Sequence, residues 1–247
     1  MAYEVEHYVT TPTRCPYLGD RSWQLESRIL LDVSAFEMQG MLERGWRRFG
    51  PEYFRPTCKG CRECISIRIP VEDFKPSKSQ RRALARIRGF SISVGVPVAD
   101  RERLLLYHAW HRSREATHSW EASPLTMEHY AMQFCFPHPC ALEFSYRDGD
   151  RLVAVGIVDA TPNALSSVYF YHHPDYRQWS VGIGSVLVEL EYARACGIRH
   201  IYLGYRVGGC RSLAYKDQFR PHELLLDRPA ENEFASWVRV PHIPTIS

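Results

Sequence analysis

Apolar residues recur every three to four positions in several stretches of the chain, the spacing that places them on one face of a helix. The clearest stretch runs from Gly182 to Cys196 and is followed by Gly197, a residue type that commonly ends helices. Its apolar stripe consists of Ile183, Val186, Leu187, Leu190 and Ala193. We predict a helix over this stretch.

Four further helices are predicted, and three of them begin at a residue that can cap a helix N-terminus, namely Ser34, Ser77 and Asp100. Ser34 is followed three residues later by Glu37, which is the capping-box pattern. The predicted helices run from Ser34 towards Gly45, from Ser77 to Arg88, from Asp100 to about His118 and from Thr126 to Phe134. On the second of these, Lys78, Arg82 and Arg86 fall four residues apart, so we expect three cations on one face.

Other stretches alternate between apolar and polar residues, which is typical of strands. Ala141 to Tyr146 and Arg151 to Val158 flank an Asp-Gly turn and predict a hairpin. Further strands are predicted for Ser66 to Val71, Leu165 to Tyr171 and Arg199 to Tyr205, whereas residues 1–31 are expected to form loops and short strands.

The order of elements after residue 160 is strand, glycine-marked turn, helix, strand, which is typical of the core of an N-acetyltransferase-type (GNAT-type) fold. We therefore predict a mixed α+β protein. Its two predicted parts are a smaller N-terminal domain, residues 1–95, and an acetyltransferase-like catalytic domain, residues 96–247.

Composition narrows the class of protein. With 45% hydrophobic residues among 247, the chain can bury a sizeable core, and its net charge of +3 is too small to identify a nucleic-acid binder by itself. No run of 18 apolar residues and no signal-peptide pattern occurs, so we expect no membrane partner. Eight cysteines without a secretion signal favour a reducing compartment, and we expect a cytoplasmic protein.

Three cysteines, Cys58, Cys61 and Cys64, are spaced three residues apart, and Cys15 is a distant fourth. Thiolates at this spacing can bind zinc or an iron–sulfur cluster. The alternative is a set of reduced structural cysteines in a tight loop.

Six cations and no acid lie between Lys75 and Arg88. Clustered Lys and Arg side chains can neutralise the phosphates of a nucleic-acid backbone. The alternative is a solvated basic face.

The turn before the longest apolar helix is rich in glycine, so its free N–H groups could face an anion or an oxyanion. Its candidate residues are Ser180, Gly182, Ile183, Gly184 and Ser185. Trp179 stands where acetyltransferases that bind coenzyme A carry Gln or Arg, which argues against that cofactor. Alternatively, the glycines only let the helix approach the sheet.

Polar and aromatic side chains flank this turn. Tyr171 and Asp175 lie at the C-terminal end of the strand before it, and Tyr205, Arg206 and Lys216 lie at or beyond the end of the next strand. The cations of the second group could pair with a carboxylate. The alternative is a sheet face of tyrosines with satisfied hydroxyls.

Together these segments resemble the arginyl-tRNA–protein transferase family, and within it the short bacterial aspartate/glutamate leucyltransferases. The similar segments are Cys15-Pro16-Tyr17-Leu18, Gly45-Trp46-Arg47-Arg48, Tyr53-Phe54-Arg55-Pro56 with the three cysteines, Phe74 to Arg82, Ser180 to Ser185, Tyr202-Leu203-Gly204-Tyr205, and Tyr215-Lys216-Asp217 with Arg220-Pro221. Leu18 replaces a cysteine of the longer arginyl members, which favours the leucyl branch.

The resemblance implies transfer of leucine from Leu-tRNA to proteins that begin with Asp or Glu, marking them for degradation. We expect Lys78, Arg81, Arg82 and Arg86 to contact tRNA, and Arg55, Arg206 or Lys216 to contact the acidic first residue. Tyr171, Asp175 and Tyr205 are candidates for orienting groups or for proton transfer. The alternatives are arginyl transfer, a small-molecule N-acetyltransferase and a zinc-bearing RNA-binding module.

Overall fold

The computed structural model describes residues 1–118 and 124–241. The strands are β1 (Tyr3–Val9), β2 (Thr13–Arg14), β3 (Ser22–Trp23), β4 (Leu25–Leu31), β5 (Arg47–Phe49), β6 (Glu52–Pro56), β7 (Ile65–Pro70), β8 (Ser91–Gly95), β9 (Ala141–Asp148), β10 (Arg151–Ala160), β11 (Ala164–His172), β12 (His200–Arg206), β13 (His222–Leu225) and β14 (Trp237–Val240). The helices are α1 (Ala35–Glu43), α2 (Lys78–Ile87), α3 (Arg101–His118), α4 (Met127–Phe134), α5 (Val181–Ala195) and α6 (Arg211–Ala214). The predicted mixed α+β class is confirmed.

The five predicted helices are present, and their caps explain where they begin. Ser34 and Ser77 accept from the backbone N–H groups of Glu37 and Gln80, whose side chains bond back to the cap residues, so both form complete capping boxes. Thr126 caps α4 through its side chain. Local sequence therefore sets the starts of these helices.

Two main sheets organise the protein. Four antiparallel strands form an N-terminal sheet in the order β1-β4-β6-β5, and eight strands form the central sheet in the order β14-β13-β7-β12-β11-β10-β9-β8. The short-strand prediction for residues 1–31 is wrong for β1 and β4, which are seven residues long and pair with each other. β1 is exposed along most of its length, so it lacks the alternating burial that marks a strand in sequence.

The central sheet uses strands from both sides of the predicted division at residues 95 and 96. β7 lies between β12 and β13, and β8 pairs with β9. One sheet therefore joins residues 1–95 to residues 96–247. The division of the chain into two domains stays a prediction.

Helices cover both faces of the central sheet. α2 and α5 pack on one face, where Leu84, Ile87, Val186 and Leu190 belong to the largest apolar cluster. α3 and α4 lie on the other face in a second cluster rich in aromatic residues. A third cluster joins α1 and the N-terminal sheet to Tyr202 of β12.

A buried ion pair also joins the two sheets. Arg48 of β5 donates through Nε to both carboxylate oxygens of Asp159 on β10, at 3.1 Å each. The two side chains are 6% and 0% exposed, so the pair is shielded from water. Each charge therefore depends on the other for compensation.

The parallel strands β11 and β12 separate along their length. They pair from Ala164 to Ser166 against His200 to Tyr202 and, within the described part of the chain, not beyond that point. β12 also shifts register against β7 between Tyr202 and Tyr205, where Gly204 takes the left-handed conformation with φ of 78°. The carboxyl ends of the two strands are thus free to flank a ligand.

No helix among the described residues is both long enough and apolar enough to cross a membrane.

Candidate active site

The glycine-rich turn lies at the open end of these two strands. A 3-10 turn, Pro174–Trp179, follows β11, and Ser180 then takes a left-handed conformation with φ of 56° before α5 begins. Its carbonyl accepts from the N–H groups of Ile183 and Gly184, both at 3.0 Å, and its side chain makes no cap. The N–H groups of Val181 and Gly182 take no part in these two bonds and can serve as donors to a ligand, whereas those of Ile183 and Gly184 are already engaged.

The basic helix α2 packs directly on this turn. A Cβ placed on Gly184 would lie 2.5 Å from Cδ1 of Ile87, so the two helices touch at this glycine. Arg86 donates through Nη1 to the carbonyl of Gln178 at 3.1 Å and to Oγ of Ser180 at 3.5 Å. Gly184 thus lets α5 approach the helix α2, and not the sheet as considered from the sequence, and this contact brings the cations to the turn.

The four cations predicted to contact tRNA, Lys78, Arg81, Arg82 and Arg86, are all exposed on α2. The structure therefore places a positively charged surface beside the glycine turn. Such a surface can bind a phosphate backbone without regard to base sequence.

Glu189 of α5 is a buried carboxyl that the sequence analysis did not single out. It is 3% exposed and accepts a hydrogen bond from Oγ of Ser167 on β11. Burial raises the pKa of Glu189 to about 7. The available signal was its position three residues after Val186 and four before Ala193, on the apolar face of the helix.

The three residues proposed for orientation or proton transfer have different surroundings. Tyr171 is fully buried and shares a hydrogen bond of 2.6 Å with the hydroxyl of Tyr130. Asp175 is exposed and pairs with Arg151 at 3.3 Å. Tyr205 donates to the carbonyl of Gly45 at 2.8 Å. The structure does not bring the three into one cluster, and their roles stay predictions.

Two of the cations predicted to contact an acidic first residue, Arg206 and Lys216, already bond to other groups of the protein. Arg206 donates through Nε to both carboxylate oxygens of Asp217, at 2.8 and 3.1 Å. Lys216 is 7% exposed and donates through Nζ to the carbonyl of Tyr205 at 2.6 Å. Burial, followed by the nearby Arg47, lowers the pKa of Lys216 to about 7.

Arg55 is the third predicted contact for the acidic residue. It donates to Glu26 through Nε at 2.7 Å and to the carbonyl of Pro229 through Nη1 at 2.8 Å. Its guanidinium carbon lies 4.7 Å from the centre of the Trp46 ring. These contacts fix the guanidinium on the loop that follows β13.

The four N-terminal cysteines, Cys15, Cys58, Cys61 and Cys64, lie near one another. Burial, then its proximity to the other three thiols, raises the pKa of Cys64 to about 12. Backbone N–H groups donate to two sulfurs, from Leu18 to Cys15 at 3.4 Å and from Gln24 to Cys58 at 3.3 Å.

Within residues 1–118 and 124–241, no group of three or more His, Cys, Asp or Glu side chains is arranged to hold a metal ion. The four thiols as placed therefore do not form a zinc or iron–sulfur site. A metal at these cysteines stays a prediction from the sequence.

Comparisons with known proteins identify the family. The profile described as the N terminus of arginine-tRNA-protein transferase matches residues 13–82, and the C-terminal profile matches residues 102–226. Among solved structures, FemX superimposes with a TM-score of 0.49 at 9% identity, covering 74% of this chain and 64% of that chain.

Two bacterial proteins named aspartate/glutamate leucyltransferase are similar over most of their length. The protein of Campylobacter jejuni subsp. jejuni serotype O:6 is 33% identical over 225 residues, which is 88% of this chain and 92% of the relative. That of Pseudomonas aeruginosa (strain LESB58) is 32% identical over 228 residues, 91% and 95% of the two chains. The chain therefore belongs to the arginine-tRNA-protein transferase family and is an enzyme that transfers an aminoacyl group from tRNA to protein.

Proposed function

We propose that this enzyme transfers leucine from Leu-tRNA to the α-amine of proteins that begin with Asp or Glu, marking them for degradation. The observation that carries the proposal is the packing of α2 on α5 at Gly184, which sets a cationic surface against the glycine turn. The names of the similar bacterial proteins support leucine as the donor residue and Asp or Glu as the acceptor.

The reaction joins the acceptor nitrogen to the leucyl carbonyl carbon and breaks the ester bond to the terminal ribose of tRNA. The amine loses a proton and the ribose hydroxyl regains one. Because the reference pKa of an α-amine is about 7.7 to 8.0, an appreciable fraction of the amine is neutral near pH 7. Positioning of the amine against the ester, and donors for the oxyanion, are then the enzyme's main contributions.

The open end of β11 and β12 is the proposed place of reaction. In this proposal Lys78, Arg81, Arg82 and Arg86 hold the tRNA backbone, and the turn from Ser180 to Ser185 receives the aminoacyl end. The first amides of α5 would donate to the oxyanion. Tyr171, Asp175 and Tyr205 remain candidates for orienting the reacting groups.

Arginyl transfer is the second candidate, and one observation favours it. An arginyl side chain needs a carboxylate partner, whereas a leucyl side chain needs an apolar surface. Glu189 supplies a buried carboxyl on the helix that carries the turn. Burial raises the pKa of Glu189 and so favours its neutral form, which weakens it as a partner for arginine.

One experiment tests both donors. The purified protein is incubated with labelled Leu-tRNA or Arg-tRNA and with peptides that begin with Asp, Glu, Lys or Ala, and products are identified by mass. We expect a leucine-sized addition to the Asp and Glu peptides alone. Addition of arginine instead would favour the second candidate.

A separate measurement addresses small-molecule acetylation. Coenzyme A should leave the thermal unfolding temperature unchanged, because Trp179 stands where a pyrophosphate-binding side chain is expected. Stabilisation by coenzyme A, without transfer from any aminoacyl-tRNA, would contradict the proposed function.

A further inference from the structure

A cavity of about 570 Å³ lies between the cysteine loop and the segment that follows β13. A small pit of about 20 Å³ adjoins it, and the two share Cys64, Leu225, Asp227 and Arg228 in their linings. The pit also reaches Tyr205 on β12. Together the cavity and the pit form a recess near the carboxyl end of β12, the strand that with β11 borders the proposed place of reaction.

Three arginines, Arg44, Arg55 and Arg228, line the pit together with one acid, Asp227. Among the described residues, neither Arg44 nor Arg228 has a carboxylate partner. Arg44 donates through Nη1 to the carbonyl of Gly40 at 2.9 Å, while its Nε is buried with no hydrogen-bond partner in the described part of the chain. Arg228 donates through Nη2 to the carbonyl of Cys61 at 3.1 Å. Arginine charge that no carboxylate neutralises favours binding of an anion at the pit.

The outer cavity has charges of both signs. Arg62 and Arg228 line it together with Asp227 and Glu233. Asp227 is paired with Arg62 at 3.7 Å, whereas Glu233 in the outer cavity would repel a nucleic-acid backbone. A peptide that begins with Asp or Glu brings its carboxylate to the pit, where three arginines face one acid, and places uncharged backbone beside Glu233. The arrangement therefore matches a free acidic N-terminus better than it matches RNA.

We propose that the pit binds the side-chain carboxylate of the acceptor's first residue through Arg44, Arg55 and Arg228, and that the outer cavity holds the residues that follow. This inference rests on the proposed function, and it assigns the acceptor side of the same site. It retains Arg55 from the sequence-based candidates and adds Arg44 and Arg228. Arg206 and Lys216 line neither the pit nor the outer cavity, and they bond to Asp217 and to the Tyr205 carbonyl. Arg55 is retained because it lines the pit, although it also pairs with Glu26.

Arg228 offers the sharpest test because its side chain is exposed, so its replacement should leave the fold intact. The wild type, Arg228→Met and Arg228→Lys are compared with four peptides that differ only in a first residue of Asp, Asn, Glu or Gln. We expect Arg228→Met to reduce the Asp:Asn and Glu:Gln ratios of kcat/KM about tenfold or more, mainly through KM. Arg228→Lys should keep part of the preference because it keeps the charge.

Arg239→Met is the matched control, since Arg239 is an exposed arginine paired with Asp73 and lies outside both linings. It should behave as the wild type. Arg44→Met provides a second variant, and its thermal unfolding is measured so that loss of preference can be separated from loss of fold. We expect it to lower the preference as Arg228→Met does.

An unchanged Asp:Asn ratio in folded Arg44→Met and Arg228→Met would overturn the assignment while leaving leucyl transfer intact. Weaker tRNA binding by Arg228→Met with unchanged peptide preference would also overturn it and make the recess an RNA contact. If the wild type transfers to no peptide, the proposed function fails instead. Direct binding of labelled Asp and Asn peptides then decides the inference, because equal affinities would contradict it.

Discussion

Gly184 of α5 lies against Ile87 of α2 so closely that an added Cβ would stand 2.5 Å from Cδ1 and 3.1 Å from Cγ1 of the isoleucine. Real Cβ atoms do not approach other heavy atoms this closely, so a side chain at this position must displace Ile87 or separate the helices. The contact therefore fixes the distance between the cationic helix and the glycine turn.

Gly184→Ala should destabilise the protein by roughly 1–3 kcal/mol, the usual cost of overpacking a core, and should reduce aminoacyl transfer. Urea unfolding measures the change. Ile87→Val removes the methyl carbon nearest to the added atom, so the double variant should recover part of the loss. Gly182→Ala is the control for stability alone, because its added Cβ would meet Phe170 at an ordinary 3.8 Å while Gly182 itself belongs to the turn proposed to receive the aminoacyl end. Equal losses of unfolding free energy at Gly182 and Gly184 would show that helix spacing is not the cause.

Charge reversal on α2 should weaken the binding of tRNA. Arg82→Glu is expected to raise the Kd for tRNA and to lower the slope of log Kd against log salt by about 1, because one phosphate contact is lost. Filter binding at several salt concentrations gives both values. Arg101→Glu, an exposed reversal at the start of α3, is the comparison and should change them less. A salt dependence identical to that of the wild type would remove α2 from the tRNA site.

Glu189 should make stability depend on pH in a predictable direction. Its pKa is raised from 4.5 to about 7 in the folded protein, so the folded state binds this proton more tightly than the unfolded state does. The stability that this proton contributes to the folded state is fully present below pH 4.5 and is lost as the pH rises to 7. The free energy of unfolding changes by about 3 kcal/mol over this range.

Glu189→Gln should therefore gain stability relative to the wild type by about this amount between pH 4.5 and pH 7. Urea unfolding of both proteins at pH 5 and pH 8 measures the difference. Glu191→Gln, an exposed change on the same helix, should follow the wild type. A difference between Glu189→Gln and the wild type that is the same at both pH values would contradict the assignment.

The Arg48–Asp159 pair should be costly to break from one side. Asp159→Asn leaves a buried guanidinium without its counter-charge and should cost roughly 3–5 kcal/mol of unfolding free energy. Asp73→Asn breaks the exposed pair with Arg239 and should cost less than about 1 kcal/mol. Thermal unfolding of the two variants provides the comparison, and similar losses would mean that Asp159 is not shielded as described.

Local patterns predicted much of this fold. The capping boxes at Ser34 and Ser77 set helix starts that the structure confirms, because their bonds join residues only three apart. The strand, turn and helix around Ser180 were also predicted, since glycines and an apolar stripe mark them. Such features depend on neighbouring residues and so are visible in the chain itself.

Features that depend on distant partners were missed. The burial of Tyr171 against Tyr130, forty-one residues away, gives no signal in either local segment. The recess containing Arg44 and Arg228 forms where the end of α1 lies near the loop after β13. The spacing of apolar residues within either segment gives no indication of this proximity. The sequence predicted which cations form the positively charged surface. The position of that surface beside the turn depends on the packing of Ile87 against Gly184, which the sequence does not indicate.

The placement of β7 between β12 and β13 has a consequence for how this protein can vary. The two family profiles match separate segments of the chain, yet a strand from the first segment supplies backbone partners to two strands from the second. Exchange of one segment between distant relatives would have to preserve the register of β7 on both edges at once. The two halves are therefore constrained to be inherited as a unit.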